Sequence, residues 1–92
     1  MSYTITDHKE KNRFELHHEG QIALVEYILA PEKITFTHTE VPAALEGKGI
    51  GSALAKHALD TAAQNHLKVV PMCPFIKAYI ERHKEYQPLL YP

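Results

Sequence analysis

The hydrophobic period of this chain changes once, just after Pro42, and that change limits what it can fold into. Before Pro42 the chain reads as strands. From Ile50 onward, apolar residues recur at helical spacing. Between the two periods stands Glu46-Gly47-Lys48-Gly49-Ile50-Gly51-Ser52, with glycine at alternate positions. Such a backbone turns tightly and can lie close to a ligand. The helix behind it offers unpaired N–H groups and the positive end of its dipole. Loop and helix start together form a site suited to a phosphate or pyrophosphate.

The strand half divides at turn signals. Met1 to Asn12 is polar and shows no clear period. Arg13 to His18 alternates, with Phe14 and Leu16 on one face. Glu19-Gly20 turns the chain. Gln21 to Ala30 follows as a strand with apolar residues on both faces: Ile22, Leu24 and Ile28 on one, Ala23, Val25, Tyr27 and Leu29 on the other. A strand apolar on both faces is expected to be covered on both, hence central. Pro31-Glu32-Lys33 turns again, and Ile34 to Val41 is rich in β-branched and aromatic residues. Short turns make these strands an antiparallel meander.

The second half predicts a loop from Ala43 to Lys48 and a helix from Ile50 to about Asn65. Ile50, Ala53, Leu54, Ala58 and Ala62 form its apolar stripe, and Lys56 pairs with Asp60 one turn on. Asn65 and His66 suit the helix end. Lys68 to Cys73 reads as a strand, parallel to the one before the helix because a crossover joins them. Pro74 suits the first turn of a second helix, to about His83. The tail from Tyr86 to Pro92 reads as extended. The expected fold is mixed α/β, or α+β: an antiparallel meander, a strand-helix-strand crossover and a C-terminal helix, as one domain over residues 1–92.

Composition narrows the function. At 92 residues, 45% hydrophobic and 23% charged, the chain reads as an ordinary soluble domain. A net charge of -1 gives no basic footprint for nucleic acid. No apolar run reaches membrane-span length. Met1 to Arg13 lacks the apolar stretch of a signal peptide. One cysteine forms no internal disulfide, so the expected location is cytoplasmic and reducing. The seven histidines show no paired zinc-ligand spacing with that cysteine, and no metal site is expected.

Three phosphate-binding patterns compete for the glycine loop. A P-loop needs lysine then Ser or Thr after its last glycine; here Ser52 follows Gly51 directly. A dinucleotide fingerprint would need glycine where Ser52 stands, and an antiparallel meander is not its setting. The third pattern, Q/R-x-x-G-x-G/A, is the coenzyme A pyrophosphate loop of the GNAT superfamily of N-acetyltransferases. Gly49 and Gly51 match it, and so does the order of elements. Glu46 replaces the Gln or Arg and adds negative charge, which Lys48 can offset. The resemblance extends through His38-Thr39-Glu40-Val41-Pro42, Gly47-Lys48-Gly49-Ile50-Gly51, Val70-Pro71-Met72-Cys73-Pro74-Phe75 and Arg82-His83-Lys84-Glu85-Tyr86. Over roughly Phe14 to Leu90 the chain looks like the small, minimal GNAT-like N-acetyltransferases.

That resemblance implies acetyl-CoA as cosubstrate. It implies a binding set of Val41, Gly47, Lys48, Gly49, Ile50, Gly51, Ser52, Cys73, Phe75 and Tyr79, with main-chain groups around Val41 on the pantetheine arm and Cys73 near the thioester. It also implies the loss of the helices that larger members place between their first two strands, since only Glu19-Gly20 joins the strands read here. The acceptor side should then be open, suited to an amine on a protein or peptide, or completed by a second copy.

Each of these residues also has a plainer reading. The glycines can be an ordinary loop and helix start, and Ser52 can cap a backbone donor. No acidic residue lies from Ser52 to Lys56, which favours an anion there. Cys73 can be a small buried hydrophobe or, before a proline-led helix, a thiolate nucleophile. His38 and Glu40 share one strand face; either can be a solvated polar group or a general base. Tyr79 is core or groove wall. The expected activity is N-acetyl transfer from acetyl-CoA to an amine. The alternatives are a non-catalytic acetyl-CoA or coenzyme A module, and a small interaction protein.

Overall fold

The computed structural model describes residues 3–92. Met1 and Ser2, part of the stretch read as polar, lie outside the described residues. Five strands and two helices follow one another: β1 (Ile5–His8), β2 (Arg13–His18), β3 (Gln21–Leu29), β4 (Lys33–Glu40), α1 (Ile50–Gln64), β5 (Lys68–Pro71) and α2 (Pro74–Arg82). The strands form one sheet in chain order, antiparallel through β4 and parallel between β4 and β5. The meander and the crossover are both present.

The first strand is a correction. β1 reads Ile-Thr-Asp-His and lies in the stretch read as polar without a clear period, where no strand was assigned. It pairs with β2, where Ile5 faces Leu16 and Asp7 faces Phe14. The strands read as first and second are therefore β2 and β3. The true first pair is joined by a one-turn 3-10 helix, Lys9–Lys11, closed by Asn12 in the left-handed region. Neither joint carries a long helix.

A second correction concerns β3. It sits between two strands, but helices cover only one of its faces. Ala23, Val25 and Tyr27 are buried; on the other face Leu24 is buried too, but Ile22 and Ile28 are 39% and 63% exposed. α1 and α2 touch each other and share one core with Phe14, Leu16, Ile34, Phe36 and Val69. Both helices therefore lie on the same side of the sheet. The tail is a third correction. Lys84–Leu89 forms a 3-10 helix, because Tyr86 is buried and its hydroxyl donates to Asp60 on α1 at 2.7 Å. Only then does the chain extend, where the Tyr91 N–H donates to the Val69 carbonyl.

The open face of the sheet holds charge beside Ile22, Leu24 and Ile28. Glu15 is 5% exposed there. It accepts from Arg13 Nε at 2.5 Å and pairs with His17 at 2.9 Å and His8 at 3.3 Å. The His17 bond first, then Arg13, draws its carboxyl down to about 2. A buried carboxylate needs such partners.

Helix α1 begins and ends differently. At its C-terminus His66 takes a left-handed φ of 57° and the Leu67 N–H closes onto the Ala62 carbonyl. At its N-terminus Gly49 takes a left-handed φ of 74°, and no side chain caps the first turn.

Candidate functional site

The site begins at that uncapped turn. Gly47 and Gly49 have φ of 80° and 74°, a region that other L-residues enter at a cost. The space beside both Cα atoms is open. Gly51 serves a different purpose. It lies in regular helix, and a Cβ there would come 2.9 Å from Phe75 Cζ. Its lack of a side chain lets α2 pack against the first turn of α1. The N–H groups of residues 50–52 have no partner within the helix, and the Ser52 hydroxyl makes no capping bond. These three donors and the positive end of the helix dipole have no acid in the first turn.

Beside this turn lies an open cavity of about 380 Å³, lined by Thr39, Val41, Leu45, Glu46, the glycine loop, Ser52 and Phe75. Its other wall is the edge of β4. There β3 runs without interruption from Glu26 to Tyr27, while its partners skip from His38 to Phe36. Thr37 is thus an extra residue, a β-bulge on β4. The bulge reverses the alternation. Phe36 and Thr39, three apart, both point to the helix-covered face; His38 and Glu40 point to the open face. Main-chain directions reverse with the side chains. The Tyr27 N–H donates to Asn12 beside β2, so the main-chain groups of Glu26 and Leu24 turn to β4 and meet His38 and Glu40. Those of Thr39 and Val41 are left facing β5, which has already ended at Pro71. The strands part here and expose a short run of backbone donors and acceptors.

Cys73 sits behind the β4 wall of the cavity. Its N–H donates to the Phe36 carbonyl at 2.8 Å, and its Sγ lies 3.0 Å from Thr39 Oγ1. It is 3% exposed and lies behind Thr39, outside the cavity lining. Among the expected residues, Val41, Gly47, Gly49, Ile50, Gly51, Ser52 and Phe75 line one cavity. Lys48 turns outward to Glu19 at 3.9 Å, so its charge does not face Glu46 across the cavity. Tyr79 stacks on His83 at 3.9 Å and lines an outer pocket with Ser52 and Lys56. Burial pushes its phenol above the ordinary tyrosine range. His38 and Glu40 stand 3.6 Å apart, exposed, on the opposite side of β4 from Cys73.

No pattern in the sequence singles out Thr39. Simple alternation would have set Phe36 and Thr39 on opposite faces, and only the bulge brings Thr39 to the cysteine. A further cavity of about 490 Å³ lies at the other end of α1, against Tyr27, Leu29 and Asn65, and contains none of the expected site residues. Among the described residues, no group of three metal-ligating side chains converges and no helix is long and apolar enough to cross a membrane.

Comparison with known proteins adds a family and its relatives. A family model described as GCN5-related N-acetyl-transferase matches residues 13–89. The protein called NATD1 of Xenopus tropicalis is 35% identical over 66 residues, 72% of this chain and 60% of that protein. NATD1 of Homo sapiens is 36% identical over the same share of this chain and 58% of its own. This chain thus spans about 60% of the length of these curated relatives. A solution structure of a protein from Staphylococcus aureus described as GCN5-like superposes with a TM-score of 0.74. It is 27% identical, with 96% of this chain and 87% of that chain covered.

Proposed function

Because the chain belongs to the GCN5-related N-acetyltransferase family, matched over residues 13–89, we propose that it binds acetyl-CoA and transfers the acetyl group to an amine on a protein or peptide. The observation that carries this reading is the convergence of an uncapped helix start and a parted strand edge on one cavity. The pyrophosphate rests on the N–H groups of residues 50–52. The pantetheine arm pairs with the main chain of Thr39 and Val41. The thioester points toward Thr39 and Cys73.

In the direct route the amine arrives from the open face. Glu40 or His38 takes its proton. The nitrogen attacks the thioester carbonyl, and the freed β4 N–H groups hold the oxyanion. The C–S bond breaks, and coenzyme A leaves and is protonated. Cys73 gives a second route: its thiolate takes the acetyl group first and passes it to the amine. Glu19-Gly20 and Lys9–Lys11 are too short to roof the acceptor side. An open surface suits a protruding amine better than a small free metabolite, which needs a burying pocket.

A second reading is binding without turnover; Cys73 lies outside the cavity lining, which weighs against the route through its thiolate but not against the direct one. Coenzyme A release, assayed against a panel of peptides and small amines, separates the two. Release with amine-bearing peptides is the expected result. Efficient turnover of a free small amine by a demonstrated monomer refutes the open-site argument. Acetyl-CoA binding with no release on any acceptor supports the module.

A further inference from the structure

Cys73 is held to β4 at two points. Its main chain is fixed by the Phe36 carbonyl and its sulfur by the Thr39 hydroxyl. Both fixings exist because Thr37 bulges between them and returns Thr39 to the helix-covered face. Thr39 also lines the cavity that Cys73 does not reach. The hydroxyl therefore stands between the cavity and the thiol.

We propose that Thr39 is the positioning residue for Cys73, its hydroxyl donating to the sulfur in the thiolate form and fixing it beside the acyl end of the cavity. This rests on the reading that the thioester lies at that end. In the neutral pair either atom can donate. Once the sulfur loses its proton only Thr39 can, so the bond strengthens selectively with the anion. The helix α2 adds its N-terminal end, where Cys73 is the cap and Pro74 the first residue. Among the described residues no ion pair reaches Cys73. The titratable groups of β4, β5 and α2 are His38 and Glu40 on the opposite face of β4, Lys33 and Lys68 at the far ends of their strands, and Lys77, Tyr79, Glu81 and Arg82 along α2. The acyl step then balances without a further reactant. The Cys73 proton leaves to solvent, the thiolate attacks the thioester carbonyl, the C–S bond to coenzyme A breaks, and the departing thiolate takes a proton.

Cys73 is the single cysteine of the chain, so its alkylation reports on this sulfur alone. The experiment compares iodoacetamide alkylation at fixed pH for the wild type, Thr39→Val and Thr39→Ser, without acetyl-CoA. Valine keeps the shape and removes the hydroxyl; serine keeps the hydroxyl and removes the methyl. Thr39→Val should react about tenfold more slowly, the effect of losing one hydrogen bond to an ionised group, and Thr39→Ser should recover most of the rate. Wild-type alkylation in Thr39→Val overturns the proposal. So does an equal loss in both variants, which would assign the effect to the methyl group. Thermal melting of each variant confirms that it is folded. Calorimetry with acetyl-CoA on the wild type is the separate arm: failure to bind removes the proposed function, while the alkylation comparison still decides the Thr39–Cys73 contact.

Discussion

The two faces of the sheet do different work. The helix-covered face holds Phe14, Val25, Phe36, Leu54, Leu59 and Ile76, all almost wholly out of solvent. Among the described residues no helix covers the other face, which carries Glu15 within a shell of Arg13, His8 and His17, then Glu26, His38 and Glu40, beside Ile22, Leu24 and Ile28. On the first face stability comes from removing apolar area from water. On the second it comes from pairing a desolvated charge. The strand that joins the two roles is β4. Its bulge turns Thr39 toward the buried side and His38 and Glu40 toward the open one, so one strand serves a donor cavity and an acceptor surface on opposite sides.

The largest effect should come from the covered face. Phe36→Ala should destabilise the fold by about 3–5 kcal/mol in chemical denaturation, because a fully buried ring leaves a cavity under the helices. A loss below about 1 kcal/mol would break the division of labour between the faces.

On the open face, Glu15→Gln should cost about 2 kcal/mol at neutral pH, the scale of hydrogen bonds to an ionised group. The pH dependence sharpens this. The folded carboxyl sits at about 2, below its ordinary 4.5. A lowered carboxylate stabilises the fold fully above 4.5, and that contribution is lost as pH falls from 4.5 toward 2. Denaturation curves of the wild type should weaken across that window, and those of Glu15→Gln should weaken less. Parallel curves for the two proteins would mean that the Arg13–His17 shell does not hold the carboxylate.

The smallest effect separates the glycines. Gly51→Ala gains about 1 kcal/mol of helix preference but puts a Cβ 2.9 Å from Phe75 Cζ. The net change in melting temperature should be slightly downward, and adding Phe75→Leu should reverse it. If the double variant melts below Gly51→Ala, Phe75 is not the neighbour that requires a glycine.

Much of this was legible in the residues. Glu19-Gly20, the Ile50–Ala62 stripe and Pro74 carry their own signals, and the meander, crossover and second helix lie where those signals stand. The glycine loop also stood out, though not its division of labour. Gly47 and Gly49 are favoured by backbone angle, whereas Gly51 is favoured by a ring 24 residues away in the sequence. β1 was hidden because Ile5-Thr6-Asp7-His8 has no apolar period; its partner strand supplies the reason it is extended. The bare face of β3 was hidden because Ile22 and Ile28 look like core residues in sequence, and only the placement of both helices on one side exposes them. Thr39 was hidden by a bulge, which no periodicity reveals.

The central claim is that the uncapped start of α1 receives the acyl donor. Isothermal calorimetry of acetyl-CoA against the wild type and Gly49→Val tests it most directly. Valine at a φ of 74° is strained by about 1–2 kcal/mol and tilts the N–H groups of residues 50–52 away from a common point. Wild-type binding and a loss of at least about tenfold in the folded variant are predicted, since each 1.4 kcal/mol of lost contact is a factor of ten. Equal binding by both proteins would place the donor elsewhere and contradict the account.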